Sequence, residues 1–424
     1  MNTTGKTKGT VTNIAAELRA RGLFEAEGGG KAEEFLAEKR TVYLGADPSA
    51  DSLQVGNLVP IFLLKHLADA GHNIVYLVGG ATGMIGDPRA SGERSLLDAK
   101  TVAKNTKAIA GQLTQIFGKK KYKIVNNATW LNRVSLIDFL RDTAKHFTVN
   151  QLVKREIIKK RLDDNDPISF TEFSYSLLQG YDFWHLNKTM GVDMQIGGSD
   201  QWANIISGVE LVRRREGKDA YALTNPIIID KKTGKKFGKS EGNAVWLDPK
   251  KTTPYAFYQF WLNVPDDGVE EYLKIFTFLS LDEIALVMGQ HVADPGKRSG
   301  QKRLAHEITS LIHGKNTADT SARVSEILFS GTPLREVAKA DLAYIKKEVP
   351  TTKIAKNTPI VDALVASGLA ESKGEARRLI EQKGVSLAGA QVTDVQKVIA
   401  VTDVVGGIAE LRRGKKVALI TLGA

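Results

Sequence analysis

The chain of 424 residues is 42% hydrophobic and 25% charged, ordinary values for a globular protein of about three domains, and it is long enough to build a substantial core. It holds no cysteine, which excludes disulfides, thiolate nucleophiles and cysteine-based zinc sites, and no apolar run reaches the roughly 18 residues that a membrane span needs. The formal charge of +11 suits a polyanionic partner without requiring one.

Residues 1–10 are polar and rich in Thr and Gly, with no apolar stretch like that of a signal peptide, and Glu17 interrupts any acid-poor transit pattern. A cytoplasmic protein of bacterial type is therefore expected. Val42 to Gly45 predicts a strand, Leu58 to Ala70 a helix, Ile74 to Val78 a strand, Arg94 to Phe117 a long helix and Tyr122 to Val125 a further strand. This alternation predicts an α/β fold with a parallel sheet covered by helices on both faces, whose ligands lie at the carboxyl ends of the strands. From about residue 128 to 175 the pattern turns helical and charge-rich, with Lys154-Arg155, Lys159-Lys160-Arg161 and a turn at Asp163 to Pro167, as an insertion into that fold would. The sheet pattern resumes at Asp193 to Ile196 and Ala222 to Ile229. Residues 249–345 read as helical, with Tyr255, Phe257, Tyr258, Phe260 and Trp261 forming a core face rather than a stacking platform. The polar stretch 346–357 reads as a linker, and 358–424 as two helices on a short sheet.

Asp230 to Ser240 places five lysines beside Gly234 and Gly238 and ends on a hydroxyl. That is the composition of a mobile polyphosphate clamp or, more plainly, of a solvated lysine-rich hairpin. Asp47 to Asn57 joins the first strand to a helix start, where unpaired N–H groups and the positive dipole end attract anions. The two segments resemble the signatures of class I aminoacyl-tRNA synthetases, commonly written HIGH and KMSKS, present as Gln54-Val55-Gly56-Asn57 and Lys236-Phe237-Gly238-Lys239-Ser240. Tyr175, Gln179 and Asp182 follow one another at spacings of four and three and so share a helix face, where polar groups in apolar sequence need a common ligand. Asp87 and Asp200 follow glycines, as helix N-caps or ligand-binding carboxylates do.

Tyr43 to Pro48, Leu77 to Asp87, Ser169 to Asp182, Gln195 to Asn204 and Lys236 to Ser240 match, in order, segments of the bacterial tyrosyl-tRNA synthetases, which the chain resembles over nearly its whole length. The resemblance implies a Rossmann-type catalytic domain over 1–248 with the insertion at 128–175, then a helical anticodon-side domain over 249–345. After the linker it implies a ribosomal-protein-type RNA-binding domain over 358–424. L-Tyrosine, ATP and tRNA(Tyr) are the implied partners, with a homodimer formed through the insertion. The implied chemistry is attack of the tyrosine carboxylate on the α-phosphate of ATP, giving tyrosyl-adenylate and pyrophosphate, then transfer of tyrosyl to the 3′ end of the tRNA. No general base is required, because a carboxylate is already ionised at neutral pH, so positioning and charge stabilisation must supply the rate.

Family placement assigns Tyr43 and Asp182 to the phenol hydroxyl, Asp87, Tyr175 and Gln179 to the ammonium group, and Gln201 to the carboxylate. It assigns Asp47, Ser49, Gly56, Arg94 and Asp200 to ATP, Asp200 meeting the ribose hydroxyls and Gly56 letting adenine approach the backbone. Gln54, Asn57, Lys236, Lys239 and Ser240 are the implied catalytic set, the lysines neutralising the departing pyrophosphate. The sequence departs from the family pattern at both histidines of the first signature, replaced by Gln54 and Asn57, which donate hydrogen bonds but carry no charge. A lysine usual in the loop after Asp87 is also missing, leaving Arg89 and Arg94 as its cations. Mg²⁺ is expected with ATP, although no dedicated metal cage is visible. Lys154, Arg155, Lys159, Lys160 and Arg213-Arg214-Arg215 are candidates for tRNA phosphates or plain solvated faces. Arg377, Arg378, Lys383, Arg412 and Arg413 are the implied RNA contacts of the tail, acting by charge and shape. Two other readings stay open: a non-catalytic RNA-binding protein built on a synthetase scaffold, and a nucleotidylyltransferase of the same fold.

Overall fold

Strands β1 (Ala26–Gly28), β2 (Thr41–Ala46), β3 (Asn73–Val78), β4 (Tyr122–Asn126), β5 (Met194–Gly198) and β6 (Tyr221–Asn225) form one sheet in the order β1-β6-β5-β2-β3-β4 in a computed structural model of the chain. The structure describes residues 13–88, 97–118, 122–231, 234, 236–240, 243–330, 332–414 and 416–423, with backbone alone at Lys239, Ser240 and Asn243. The chain divides into two compact units, Met1–Leu247 with Pro265–Val292, and Asp248–Val264 with Ala293–Ala424.

In the first unit β2 to β6 run parallel, as the alternation predicts, and β1 adds an antiparallel edge along β6. The chain winds from β2 outward to β4, then returns to lay β5 on the other side of β2. The strand order therefore reverses between β2 and β5, and a crevice at the carboxyl ends of the strands is the expected ligand site. β3 is buried from Ile74 to Val78, which its continuous apolar run requires of a strand covered on both faces. The helix Phe170–Met190 starts on a capping box made by Ser169 and Glu172 and stops at Gly191 in the left-handed conformation. It buries Phe183 and Leu186 in the core that also holds Tyr43, Val75 and Leu77. Before it, the Glu156–Asp163 helix is fastened by Arg161, 1% exposed, whose guanidinium lies 2.7 Å from Glu172 and 3.0 Å from Asp166.

The long helix expected from Arg94 runs over Ala99–Phe117 and is capped by Asp98, whose carboxylate accepts from Thr101 N at 2.8 Å; its expected first turn falls partly outside the described residues. The helical stretch after residue 249 does not stay together. The helix Val269–Phe276 belongs to the first unit because Tyr272 and Phe276 pack on Phe237, with ring centroids 4.6 and 5.4 Å away, and Phe276 also meets Phe62.

The second unit holds the helices Pro254–Leu262, Ser299–His313, Lys315–Ser330 and Lys339–Glu348. Tyr255, Phe257, Tyr258 and Trp261 are buried there as a core face. Residues 346–357 are not a free linker: they carry the end of the Lys339–Glu348 helix and strand β9 (Thr351–Ile354). With β10 (Val385–Leu387), β11 (Ala390–Gln391), β12 (Ala409–Arg413) and β13 (Lys416–Leu422), β9 builds a five-stranded sheet in the order β11-β10-β12-β13-β9. The helices Ile360–Ala366 and Lys373–Glu381 supply Ile360, Leu364, Ala376 and Ile380 to the core of that module.

Candidate active site

A cavity of about 990 Å³ opens in the first unit, lined by side chains that follow β2, β3, β5 and β6. Tyr43, Asp47, Ser49, Gln54, Gly56, Asn57, Asp87, Tyr175, Gln179, Asp182, Asp200, Gln201 and Lys236 all line it, so the segments singled out in the sequence converge on one space. Arg94 and the side chains of Lys239 and Ser240 lie outside the described residues.

Backbone hydrogen bonds tie the two signature segments together. Val55 N donates to Val245 O at 3.0 Å and Leu247 N to Leu53 O at 2.9 Å, so the chain leaving the lysine loop runs as a short ladder beside the chain entering the first signature. Gly238, at φ +81°, sits so close that a Cβ there would lie 3.0 Å from Gly56 N; only glycine fits both conditions. The Gln54–Asn57 turn is one turn of 3₁₀ helix leading into the helix Leu58–Asp69, with Asn57 Oδ1 accepting from Gln54 N at 2.8 Å. Lys236 Nζ lies 3.2 Å from Asp200 Oδ2.

At the other end of the cavity one chain of hydrogen bonds connects six side chains. The Tyr175 hydroxyl donates to Asp47 Oδ2 at 2.9 Å, and Thr82 Oγ1 donates to Asp47 Oδ1 at 2.7 Å. Asn127 Nδ2 donates to Thr82 Oγ1 and to Asp182 Oδ2, both at 2.9 Å, while Trp130 Nε1 donates to Asp182 Oδ1 at 2.7 Å. Gly79 makes room for this chain, since a Cβ there would lie 2.0 Å from Asp47 Oδ1. Asp182 is buried, and desolvation, opposed by its two donors, pushes its pKa up to about 7. Tyr43 is 1% exposed with its ring edge-on to Phe183, and its hydroxyl meets no partner among the described residues. Burial, reinforced by the Asp182 charge, raises its pKa well above the ordinary phenol value, so it stays a donor. A third group joins the wall: Gln201 Nε2 donates to Asp87 Oδ2 at 2.8 Å, and Asn204 Nδ2 to Asp87 Oδ1 at 3.1 Å.

A family profile described as tRNA synthetases class I (W and Y) matches residues 36–330, and a second, described as the tyrosine–tRNA ligase SYY-like C-terminal domain, matches 341–420. Tyrosine–tRNA ligases from Lactococcus lactis subsp. cremoris (strain SK11) and Anaeromyxobacter dehalogenans (strain 2CP-1) are 44% and 42% identical over 95% of this chain and 98% of each relative. The chain belongs to the tyrosine–tRNA ligase family. It is thus an aminoacyl-tRNA synthetase with a class I catalytic fold. The mitochondrial tyrosyl-tRNA synthetase of Aspergillus nidulans, truncated at its C-terminus, superposes with a TM-score of 0.67 at 31% identity, over 76% of this chain and 96% of that one. The tyrosyl-tRNA synthetase of Archaeoglobus fulgidus complexed with L-tyrosine shares the fold at a TM-score of 0.53 and 18% identity, over 73% of this chain and 100% of that one.

Within this family frame the structure adds side chains that the sequence reading passed over. Thr82, Asn127, Trp130 and Asn204 touch the expected site residues directly. Asn127 and Trp130 directly follow β4, the position at which a parallel sheet presents its ligand groups, and that was the available signal. Asp47, expected at the nucleotide, lines the cavity and is bonded to Tyr175 and Thr82 in the network that reaches Asp182.

In the second unit Arg377, Arg378 and Lys383 are exposed on the C-terminal module. Arg413 is half-buried, 2.8 Å from Glu375. Arg412 is turned inward and does not fit the role of an RNA contact: 8% exposed, it pairs with Glu410 and donates to Leu328 O at 2.6 Å. Ala409 to Arg412 are all buried, so both faces of β12 are covered there, which a pair of adjacent arginines does not reveal.

Proposed function

We propose that the chain activates L-tyrosine with ATP and transfers the tyrosyl group to the 3′ end of tRNA(Tyr), with the roles distributed as follows. Tyr43 donates to the phenol oxygen while Asp182 accepts from the phenol hydrogen. The observation that carries this is a buried hydroxyl donor with no partner among the described residues, beside a buried carboxylate, at the floor of a cavity whose other end holds Lys236. A phenylalanine ring would leave the buried Tyr43 hydroxyl unpaired, at about 1–3 kcal/mol, and would bring Asp182 no donor beyond Asn127 and Trp130. Asp87, Tyr175 and Gln179 receive the ammonium, and Gln201 orients the carboxylate.

The carboxylate oxygen then bonds to the α-phosphorus as the bond to the bridging oxygen breaks and pyrophosphate leaves. Gln54, Asn57, Ser49, Lys236, Lys239 and Ser240 surround the charge that develops on the leaving phosphates, Arg94 adds a cation, and Asp200 holds the ribose. Mg²⁺ enters with ATP as part of the substrate. Of the four carboxylates that line the cavity, Asp47, Asp87 and Asp182 accept side-chain hydrogen bonds and Asp200 faces Lys236. No group of three or more His, Asp or Glu among the described residues is placed to hold a metal ion.

Exposed Leu136, Ile137, Leu140, Val149, Leu162 and Phe170 form the apolar surface of the 128–175 insertion, and homodimerisation through it is part of the proposal. So are a cytoplasmic setting and RNA binding by Arg377, Arg378 and Lys383. No helix among the described residues is long and apolar enough to cross a membrane. Tyrosine-dependent exchange of labelled pyrophosphate into ATP tests the reading: pure protein is expected to catalyse it with tyrosine and not with phenylalanine. No exchange with either amino acid would return the chain to the non-catalytic RNA-binding alternative.

A further inference from the structure

The helix Ala99–Phe117 turns an aliphatic stripe of Val102, Ile109, Leu113 and Ile116 to the core, and two carboxamides interrupt it. Asn105, 4% exposed, follows Val102 by three residues, and the half-buried Gln112 follows Ile109 by three. A polar group on an apolar face costs stability unless it is paired, so the bonds these two make explain their presence. Asn105 Nδ2 donates to Pro48 O at 2.9 Å. Gln112 Oε1 accepts from Leu53 N at 2.8 Å, and its Nε2 donates to Ser52 Oγ at 2.9 Å. Ser52 Oγ in turn donates to Leu53 O at 2.9 Å. A spacing of seven residues sets the two contacts about 10 Å apart along one rigid helix, so both ends of the segment 48–53 are held by a single element. The Pro48 ring is backed from another side by Gly83, where a Cβ would lie 3.0 Å from Pro48 Cδ.

The held residues flank two that line the cavity: Ser49 directly follows Pro48, and Gln54 directly follows Leu53. We infer that Asn105 and Gln112 are positioning residues of the activation step, fixing the turn from which Ser49 and Gln54 meet the phosphates of ATP. The inference rests on the ligase reading and on the places that reading gives Ser49 and Gln54. Neither side chain carries charge. An uncharged donor acts through a directed hydrogen bond, which weakens steeply as it lengthens or bends, so its contribution depends on placement more than a lysine's does. A displacement of about 1 Å is enough to cost on the order of 100-fold in rate. The phenol end draws on other partners, since Asp182 is held by Asn127 and Trp130. Loosening the Ala99–Phe117 helix from the segment 48–53 therefore acts on the chemical step and spares tyrosine binding, a split that a purely structural anchor does not produce.

Asn105→Leu continues the aliphatic stripe while removing the donor to Pro48, so its melting temperature should stay within about 4 °C of wild type. Its kcat for tyrosine-dependent pyrophosphate exchange, counted per active site by adenylate burst titration, should fall about 10- to 100-fold. The KM for ATP should move by no more than about threefold, because the charge that these donors meet develops in the transition state, and tyrosine affinity in equilibrium dialysis by no more than about twofold. Should Asn105→Leu fail to fold, a pair at Gln112 decides. Gln112→Glu keeps one oxygen for Leu53 N and offers the other to the Ser52 hydroxyl, so its kcat should stay within about threefold of wild type. Gln112→Met has similar length and offers neither, and it should show the loss expected of Asn105→Leu. Wild-type kcat per site in Asn105→Leu or Gln112→Met overturns the proposal, as does a loss that Gln112→Glu shares in full or an equal loss of tyrosine affinity. Fewer active sites at unchanged kcat per site marks an anchor alone and overturns it too. Absence of exchange in the wild type overturns the ligase reading instead.

Discussion

Asp182→Asn tests the phenol site most directly, because the substitution keeps the shape and removes the charge. In the protein the Asp182 carboxylate accepts from Asn127 Nδ2 at 2.9 Å and Trp130 Nε1 at 2.7 Å, one donor to each oxygen. A carboxamide offers one oxygen, so one donor faces an NH₂ group and is left unpaired. That loss of about 1–3 kcal/mol is present before substrate arrives and belongs to stability, not to binding. Binding loses the charge-assisted bond from the phenol, about 1.5–3 kcal/mol, or roughly 10- to 150-fold in tyrosine affinity. On the proposed placement ATP meets the other end of the cavity, so its KM should move by no more than about twofold. Exchange kinetics with each substrate varied in turn, with equilibrium dialysis of tyrosine and a thermal melt, separate the three quantities. Tyrosine affinity within threefold of wild type, or equal rises in both KM values, would refute the placement of Asp182 against the phenol.

Protonation of the same carboxyl sets a pH dependence. With its pKa raised to about 7, Asp182 holds a proton in acid and cannot accept from the phenol, so tyrosine affinity should fall as pH drops below about 7, by up to tenfold per unit. The sign for stability is opposite: a folded-state pKa above the unfolded value of about 3.9 means that this group favours the fold in acid, and its contribution declines as pH rises through 7. Asp182→Asn should flatten the binding profile, as dialysis between pH 5.5 and 8.5 would show. Lys236→Ala should slow adenylate formation while tyrosine dissociation stays unchanged in dialysis, since Lys236 faces Asp200 and not the phenol end. Arg412→Ala should lower the melting temperature without altering the salt dependence of tRNA binding, whereas Arg377→Ala should leave melting unchanged and reduce that salt slope by about one.

The parallel sheet was legible because long apolar runs alternating with helical ones leave few other folds, and β2 to β6 follow it. β1 was not, since Ala26-Glu27-Gly28 has no pattern of its own and becomes a strand by pairing with β6. The carboxylates and hydroxyls that line the cavity could be picked out by spacing and by family motif. Their supports could not: Thr82 and Asn127 matter because one buried chain of hydrogen bonds runs through them, and that pairing spans residues far apart in sequence. Arg412 erred the other way, because charge composition says nothing about which face of a strand a side chain takes.

The two replaced histidines of the first signature bear on how much of the rate depends on charge at that turn. An imidazole of ordinary pKa, about 6.5, is mostly neutral at pH 7, so its contribution to a leaving phosphate is a directed N–H group more than a full charge. Gln54 and Asn57 each carry an N–H₂ group at the same positions, and Asn57 is oriented, since its Oδ1 accepts from Gln54 N at 2.8 Å. What the carboxamides lack is the capacity to gain a proton as negative charge builds. Under the proposed roles that task falls to Lys236 and Lys239, and the ladder between residues 53–55 and 245–247 fastens the chain that follows them beside this turn. Placing histidine at both positions should therefore raise the activation rate only as pH falls toward about 6, where the imidazole gains charge, and leave it nearly unchanged at pH 8. A double variant faster at every pH would show that donor placement, not charge, is what the amides fail to match.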